Sequence, residues 1–300
     1  MISYEGRHYE NWEAARQVIA AEQEAAVAVQ EPPDTVQEPG QGNEPNGEAI
    51  VAPEPLGCVE DSPGKPSGPE PARPRRQAPT ERYRPRRLAD LMGQSEAVAR
   101  LAAFAEDPYP AAFILAGATG TGKTSAAWAL AAELGCDIDN VMPEWGGVYT
   151  IPSGEHNADT LRETWPKMEL IPVRSARRWK VLIVNEIEQL NGAVEKLWLD
   201  KLENIPRLTV IVFTTNALDT LPDRFVDRCI GGVIEFESDA DELTDAARTL
   251  AQTIWRQETG YEIPPGVADK VVKSATRGGR LSFRRVVQAL MPMLARKGKV

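Results

Sequence analysis

The sequence predicts an α/β protein in which a parallel sheet is flanked by helices, followed by a small all-helical domain. Apolar runs typical of buried strands alternate with helical patterns between residues 94 and 214. Only helical patterns follow residue 239. Residues 31–80 hold 12 of the 24 prolines and 6 of the 23 glycines, which indicates a disordered tether before the folded part.

The predicted elements follow from apolar runs, helical periodicity and caps. In chain order we expect a helix at 94–106, a strand at 113–116, a helix ending near 134, a strand at 148–151, a helix at 158–168, a strand at 181–184, a helix at 193–203, a strand at 208–214, and helices near 240–256, 265–275 and 281–294.

Four regions are predicted from these changes in composition. Residues 1–30 form a small hairpin that turns at Gly6 and a helix capped by Asn11, and residues 31–80 form a Pro-, Gly- and Glu-rich linker. Residues 81–238 form the α/β domain, and residues 239–300 form the helical domain.

The charge of the chain is concentrated near its start. The net charge is −10, of which residues 1–30 carry −3 and residues 31–80 carry −5, leaving −2 for the rest. This excludes a protein coated in positive charge, but it leaves room for local basic surfaces at residues 84–87 and 174–180.

Composition also bounds the compartment. The three cysteines lie far apart and only two histidines are present, so we expect neither a disulfide framework nor a zinc site. The charged N-terminus argues against a signal peptide, and the longest apolar runs are too short to span a bilayer. We therefore expect a cytoplasmic protein without a membrane partner.

The strongest motif follows the first predicted strand. Residues 117–124 read GATGTGKT and match G-x-x-x-x-G-K-[ST], the P-loop, between a strand and a helix. Glycines let backbone N–H groups surround phosphate oxygens, the lysine adds a charge, and the threonine hydroxyl can bind Mg²⁺. The predicted ATP-binding residues here are Gly117, Ala118, Thr119, Gly120, Thr121, Gly122, Lys123, Thr124 and Ser125.

The next buried strand, at residues 181–184, ends in Asn185 and Glu186, as a Walker B strand ends in acidic residues. Asn185 and Thr124 are the predicted Mg²⁺ ligands, although an amide lacks the charge that a hard cation prefers. Glu186 is the candidate general base. Asn216 follows the strand at 208–214, where its amide could bind either the attacking water or the γ-phosphate.

Two arginine motifs complete the set. Arg228 lies in the sequence LPDRFVDRC, and Arg284 and Arg285 follow Ser282, which can cap the last helix. Cations are unfavourable at a helix N-terminus, so their position hints at a nearby anion, although two solvated arginines are as good an interpretation of these residues alone.

Together these motifs resemble the AAA+ ATPases, and in particular their clamp-loader branch, which includes replication factor C and DNA polymerase III clamp-loader subunits. Residues 82–94, RYRPRRLADLMGQ, are similar to the segment that leads into the family's ATPase domain. The resemblance implies that Tyr83, Arg84 and Pro85 lie near the adenine. It covers about residues 81–294.

The resemblance also implies roles for the polar residues. Asn216 falls at the sensor-1 position. Asp227-Arg228-Cys229 resembles the family's Ser-Arg-Cys motif, whose arginine reaches a neighbouring subunit's ATP. Arg284 is the sensor-2 candidate, with Arg285 as the alternative register. The resemblance implies ATP and Mg²⁺ as ligands. It implies as partners other AAA+ subunits in a homo- or hetero-oligomer, DNA, and a sliding clamp or other replication proteins.

The chain departs from the family pattern in three ways. Asn185 stands in place of the family's Asp, a four-cysteine zinc module is lacking, and the chain ends just after the helical domain. We expect no room for the helical collar that holds clamp-loader rings together. Three functions stay open: an ATP-hydrolysing DNA-transaction factor, a nucleotide-binding switch or scaffold with weak turnover, and a helicase-loader or chaperone-type protein. The last ranks lowest, because Tyr149 reads as a buried strand residue rather than a pore-loop aromatic.

Overall fold

The computed structural model describes residues 2–4, 7–9, 78–139, 142–188, 190 and 192–297. They fall into two compact units divided between residues 68 and 69. In the first unit, strands β1 (Ile2–Tyr4) and β2 (Arg7–Tyr9) pair antiparallel at the position of the predicted hairpin. The predicted helix after Asn11 and residues 31–77 of the predicted linker lie outside the described residues.

The second unit contains the α/β and helical parts. Its strands are β3 (Ala111–Gly117), β4 (Val148–Ile151), β5 (Lys180–Val184), β6 (Thr209–Thr215), β7 (Gly232–Phe236), β8 (Thr276–Arg277) and β9 (Arg280–Leu281). Its α-helices are α1 (Pro79–Arg82), α2 (Ser95–Glu106), α3 (Lys123–Glu133), α4 (Ala158–Thr164), α5 (Gly192–Glu203), α6 (Asp223–Val226), α7 (Ala240–Thr259), α8 (Val267–Ala275) and α9 (Phe283–Lys297). Short 3-10 helices span Leu88–Asp90, Trp165–Glu169 and Leu218–Thr220.

Strands β3 to β7 form one parallel sheet in the order β4-β5-β6-β3-β7, so β3 lies between β6 and β7. Alternate residues of β3 point to opposite faces: Phe113 and Leu115 pack in one core, and Ile114 packs in the other. Both faces of the central strands are therefore buried, as the continuous apolar runs predicted. The predicted α/β fold class is confirmed.

Strand β7 is absent from the sequence-based assignment. Of its five residues only Ile234 and Phe236 are buried, and Glu235 faces solvent. An edge strand needs one apolar face rather than an apolar run, and two glycines precede its valine, so the local signal is weak. Its extended conformation is stabilised by pairing with β3, which the local sequence pattern does not reveal.

The C-terminal helices α7, α8 and α9 share a core of their own, built around residues such as Trp255, Val271 and Leu290. The expectation that only helices follow residue 239 is wrong in one detail, because β8 and β9 form a small antiparallel hairpin. Its turn residues, Gly278 and Gly279, both have positive φ, as a two-residue type I′ turn requires.

Two other predicted boundaries shift for local reasons. The helix expected at 158–168 ends at Thr164 and continues as a 3-10 turn that begins at Trp165, with Pro166 at its start. Strand β6 begins one residue late because Leu208 has a φ of +55°, outside the extended region. Among the described helices none is long and apolar enough to cross a membrane.

Candidate functional site

A cavity of about 290 Å³ opens at the carboxyl ends of strands β3, β5 and β6, where α/β proteins bind ligands. Its lining combines the phosphate loop, the strand ends, the segment before α2 and two helices of the C-terminal part. The lining residues are Thr80, Glu81, Tyr83, Arg84, Pro85, Asp90, Leu91, Met92, Thr119, Gly120, Thr121, Gly122, Lys123, Thr124, Ser125, Glu186, Thr214, Asn216, Leu250, Phe283, Arg284 and Val287.

The loop between β3 and α3 needs its glycines. Gly117, Gly120 and Gly122 have φ values of +144°, +81° and +111°. A side chain on Gly117 would place its Cβ 2.6 Å from the carbonyl oxygen of Phe236, and one on Gly120 would place it 2.0 Å from Ser282 Oγ. These conformations wrap the loop backbone around the cavity just before the N-terminus of α3, an arrangement suited to an anion.

Lys123 is nearly buried at the base of this loop. Its Nζ donates to the carbonyl oxygens of Gly117 at 2.7 Å and Ala118 at 2.8 Å, and to Asn216 Oδ1 at 3.0 Å. Burial lowers the pKa of Lys123 to about 8, an effect that the carboxylate of Glu186 opposes. The ammonium is thus held by dipoles that a phosphate could replace.

The end of β5 faces the start of α3. Thr124 Oγ1 donates to Asn185 Oδ1 at 3.2 Å, so the two predicted Mg²⁺ ligands are adjacent. Asn185 itself is anchored, since its N–H donates to the carbonyl of Ile151 at 3.0 Å and its carbonyl contacts His156 Nε2. Two neutral oxygens therefore converge between the end of β5 and the start of α3.

Glu186 lies on a strained turn. Its φ is +54°, rare for a residue with a side chain. The turn is held by Thr214, whose Oγ1 accepts from the Glu186 N–H at 3.0 Å and whose carbonyl accepts from the Ile187 N–H at 2.9 Å. The neighbouring strand thus fixes the backbone that carries this exposed, cavity-lining carboxylate.

Asn216 bridges two charged groups. Its Oδ1 accepts from Lys123, and its Nδ2 donates to Glu188 Oε1 at 2.8 Å. Glu188 follows Glu186 by two residues and was not recognised from the sequence. Its only sequence signal is a second acid in NEIE after the strand.

The C-terminal helices reach the phosphate loop directly. The N–H of Phe283, at the start of α9, donates to the carbonyl of Gly120 at 2.9 Å. Arg284 lines the cavity and lies close enough to Lys123 to lower the pKa of the lysine. Arg285 does not line the cavity. At the start of α9, the N–H groups of Arg285 and Val286 donate to the Ser282 carbonyl at 3.0 and 3.1 Å.

The segment before α2 covers the opposite side of the cavity. Tyr83 packs beside the core of the C-terminal helices, and burial with a hydrogen bond to Glu258 raises its pKa to about 12. Arg82 pairs with Glu258 at 2.8 Å, and Arg84 pairs with Glu81 at 2.7 Å. The segment is thereby tied to α7.

Arg228 is the predicted site residue that the structure keeps apart from this cavity. Its Nε and Nη2 contact Glu203 Oε1 at 2.9 and 2.8 Å, and its Nη1 donates to the carbonyl of Arg224. The remaining predicted residues line the cavity, apart from Gly117, Ala118 and Asn185, which bond to residues that do. Besides Glu188, the sequence did not single out nine residues of the lining: Thr80, Glu81, Asp90, Leu91, Met92, Thr214, Leu250, Phe283 and Val287.

The chain is similar to proteins of known family. Residues 113–237 match the family described as ATPase family associated with various cellular activities (AAA). A replication factor C small subunit of Thermoplasma volcanium is 30% identical over 223 residues, covering 70% of this chain and 68% of that protein. The corresponding protein of Thermoplasma acidophilum is 30% identical over 138 residues, covering 46% and 42%.

Bacillus subtilis DNA polymerase III subunit tau is 27% identical over 163 residues, covering 49% of this chain and 29% of that protein. Among these three relatives the chain thus spans from under a third to about two thirds of the other protein's length. A solved structure of Thermotoga maritima RuvB, a Holliday junction branch migration motor, has a TM-score of 0.48 and 20% identity over 70% of this chain and 72% of that one.

Proposed function

The chain belongs to the AAA ATPase family, in its clamp-loader-like branch, and on this premise we propose that it binds and hydrolyses ATP in a DNA transaction of replication or repair. We further propose that it acts with neighbouring AAA+ subunits, which supply an arginine to its site. The single observation that carries the proposal is the convergence of Lys123, Glu186, Asn216 and Arg284 on one cavity beside the glycine loop.

The cavity has the chemistry that a nucleotide requires. Tyr83, Pro85 and Leu250 provide apolar surface for a base at one side. At the other side of the cavity, the positive-φ glycines and the N-terminus of α3 provide backbone N–H donors, and Lys123 and Arg284 add positive charge. ATP would therefore lie with its base against the segment before α2 and its phosphates against the loop.

Mg²⁺ fits the pair formed by Thr124 Oγ1 and Asn185 Oδ1, since both are oxygen donors and lie 3.2 Å apart. When bound, the ion neutralises phosphate charge. The chain's own residues would do the rest. Lys123 would exchange its carbonyl partners for phosphate oxygens, and Glu186, held by Thr214, would accept a proton from the attacking water.

We propose that Arg228 acts in a neighbouring subunit's site. It lies outside the cavity lining of its own chain and is paired with Glu203, whose side chain is 57% exposed. Such a pair exchanges partners at small cost because both groups remain solvated. An arginine offered to another subunit's phosphates would stabilise charge that develops in the transition state.

The proposed DNA role is supported by the similarity to replication factor C and DNA polymerase III subunits, and by exposed basic residues in the two predicted stretches: Arg86, Arg87, Arg174, Arg177 and Arg178. Lys180, which ends the second stretch, is buried and donates to the carbonyl of Met168 instead. A sliding clamp or other replication proteins are proposed partners because the chain resembles the clamp-loader branch. A cytoplasmic location is consistent with these functions.

ATP turnover against protein concentration, with and without primed DNA, tests this function. For the wild type we expect specific activity to rise with concentration and with DNA. Arg228→Ala should remove the rise with concentration, while Arg256→Ala, which breaks another exposed arginine–glutamate pair, should leave it intact. Concentration-independent turnover equal in all three proteins would refute action between subunits, and failure to bind ATP would refute the function itself.

A second candidate function is a nucleotide-binding switch with weak turnover. It is favoured by Asn185, which leaves the Mg²⁺ site without the carboxylate of the family pattern. In this case ATP would bind with normal affinity, and Asn185→Asp would raise Mg²⁺-dependent turnover several-fold. Fast wild-type turnover that the substitution leaves unchanged would refute the switch.

A further inference from the structure

The side-chain amide of Asn216 has two partners of opposite character. Its Oδ1 lies 3.0 Å from the Lys123 ammonium, and its Nδ2 lies 2.8 Å from a carboxylate oxygen of Glu188. An ammonium can only donate hydrogen bonds, and a carboxylate can only accept them. If the amide were turned by 180°, two donors would face each other at Lys123 and two acceptors at Glu188. The two charged groups therefore allow only one orientation of the Asn216 amide.

This orientation decides what Asn216 can bind in the cavity. Its carbonyl oxygen points toward Lys123, which lines the cavity. Its NH₂ group is already bonded to Glu188, which is not among the lining residues. A phosphate oxygen is an acceptor and needs a donor, whereas a water molecule can donate to a carbonyl. Of the two ligands that the sequence leaves open for Asn216, this orientation favours the attacking water over the γ-phosphate.

The backbone of Glu188 is held by the segment that follows β6. Its backbone carbonyl accepts a hydrogen bond from the hydroxyl of Thr220, in the 3-10 helix that follows β6. Asn216 lies directly after β6, four residues before Thr220, so both partners of the pair are fixed to the segment that follows this strand. The carboxylate also opposes the burial that lowers the pKa of Lys123.

Resting on the proposed ATPase function, we propose that Glu188 is a positioning residue that holds the Asn216 amide with its carbonyl oxygen toward the reacting centre. Glu188 contacts neither the phosphates nor the water. When Lys123 turns to the phosphates, Asn216 Oδ1 becomes available to orient the water for Glu186.

Four variants test this role in the full-length protein with Mg²⁺ and ATP. Glu188→Ala removes the acceptor, and Glu188→Gln keeps an acceptor oxygen without the charge. Asn216→Asp places two carboxylates together. The exchange Glu188→Gln with Asn216→Asp restores a donor at 188 and an oxygen facing Lys123. Glu163→Ala, an exposed glutamate on α4, is the control.

We expect Glu188→Ala to lower kcat about tenfold with little change in the dissociation constant of ATP, and Glu188→Gln to lower it less. Asn216→Asp should be impaired more strongly, and the exchange should recover part of that loss. A residue with only a structural role would not give such rescue. Unchanged kcat in Glu188→Ala, or no recovery in the exchange, would overturn the proposal while leaving the ATPase function in place.

The orientation is also measurable without nucleotide. In protein labelled with ¹⁵N-asparagine, the Asn216 side-chain NH₂ signals are those missing from Asn216→Asp. They should shift in Glu188→Ala and stay unchanged in Glu163→Ala. Signals that do not respond to Glu188→Ala would overturn the inference even if the wild type hydrolysed no ATP, whereas absent ATP binding alone would count against the proposed function.

Discussion

Substitution of Gly120 by alanine tests the contact between the phosphate loop and the C-terminal helices. Gly120 has a φ of +81°, and its carbonyl accepts a hydrogen bond from the first N–H of α9, that of Phe283. An added Cβ would lie 2.0 Å from Ser282 Oγ and 3.1 Å from Ser282 Cβ. Rotation of the serine hydroxyl would relieve the first contact, but the second would require the backbone to move.

Gly154→Ala is a matched control for this change. Gly154 has nearly the same φ, +83°, but nothing lies within 4 Å of the Cβ it would gain. Both variants suffer the strain of a left-handed alanine, roughly 1–2 kcal/mol. Gly120→Ala also forces Ser282 away from its rotamer, at about 0.5–1.5 kcal/mol, and weakens the hydrogen bond from Phe283, worth about 1 kcal/mol.

Gly120→Ala should therefore be less stable than Gly154→Ala by about 1–3 kcal/mol. At about 2–4 °C per kcal/mol for a folded body of this size, the melting temperatures should differ by roughly 2–12 °C. Differential scanning calorimetry of the nucleotide-free proteins measures this. Adding Ser282→Ala should recover part of the difference, because it removes the hydroxyl that the new methyl group meets.

Equal melting temperatures for Gly120→Ala and Gly154→Ala would refute the reasoning, since the contact with Ser282 and the hydrogen bond from Phe283 are what should make the first variant less stable. The same holds if Ser282→Ala proves additive with Gly120→Ala, because two residues in steric contact cannot act independently.

Phe213→Ala, which removes a fully buried ring at the centre of the sheet, should lower the free energy of unfolding by about 3–5 kcal/mol in denaturant titration. Arg224→Ala leaves the buried carboxyl of Glu195, whose pKa Arg224 holds below its usual range, without its bidentate partner. Arg224→Ala should therefore lose the most stability relative to the wild type at neutral pH, and the difference should shrink as acid protonates Glu195. Thermal melts of both proteins across pH measure this, and a difference independent of pH would contradict it. Burial raises the pKa of Cys136 and Cys229 to about 12, so both thiols should resist alkylation at pH 8 until the protein unfolds, as mass spectrometry of labelled protein would reveal.

The elements that the sequence predicted well are those with local causes. Strand β3 and the glycine loop were predictable because a buried apolar run and three glycines each have a strong conformational preference. Strand β7 was not, since its extended state depends on pairing with β3. Gln94 is similar: its buried side chain forms two hydrogen bonds with the backbone of Glu237, a residue 143 positions away.

The sequence by itself determined the chemical groups available to this protein: the phosphate loop, Asn185 and Glu186 after one strand, Asn216 after another, and an arginine at the start of the last helix. Only the tertiary structure decided which of them meet. Parallel strands bring their carboxyl ends to one edge of the sheet, so residues far apart in sequence converge there. Hydrogen-bond direction and charge then select among them, which is why Glu188 gains a role that its sequence position did not indicate.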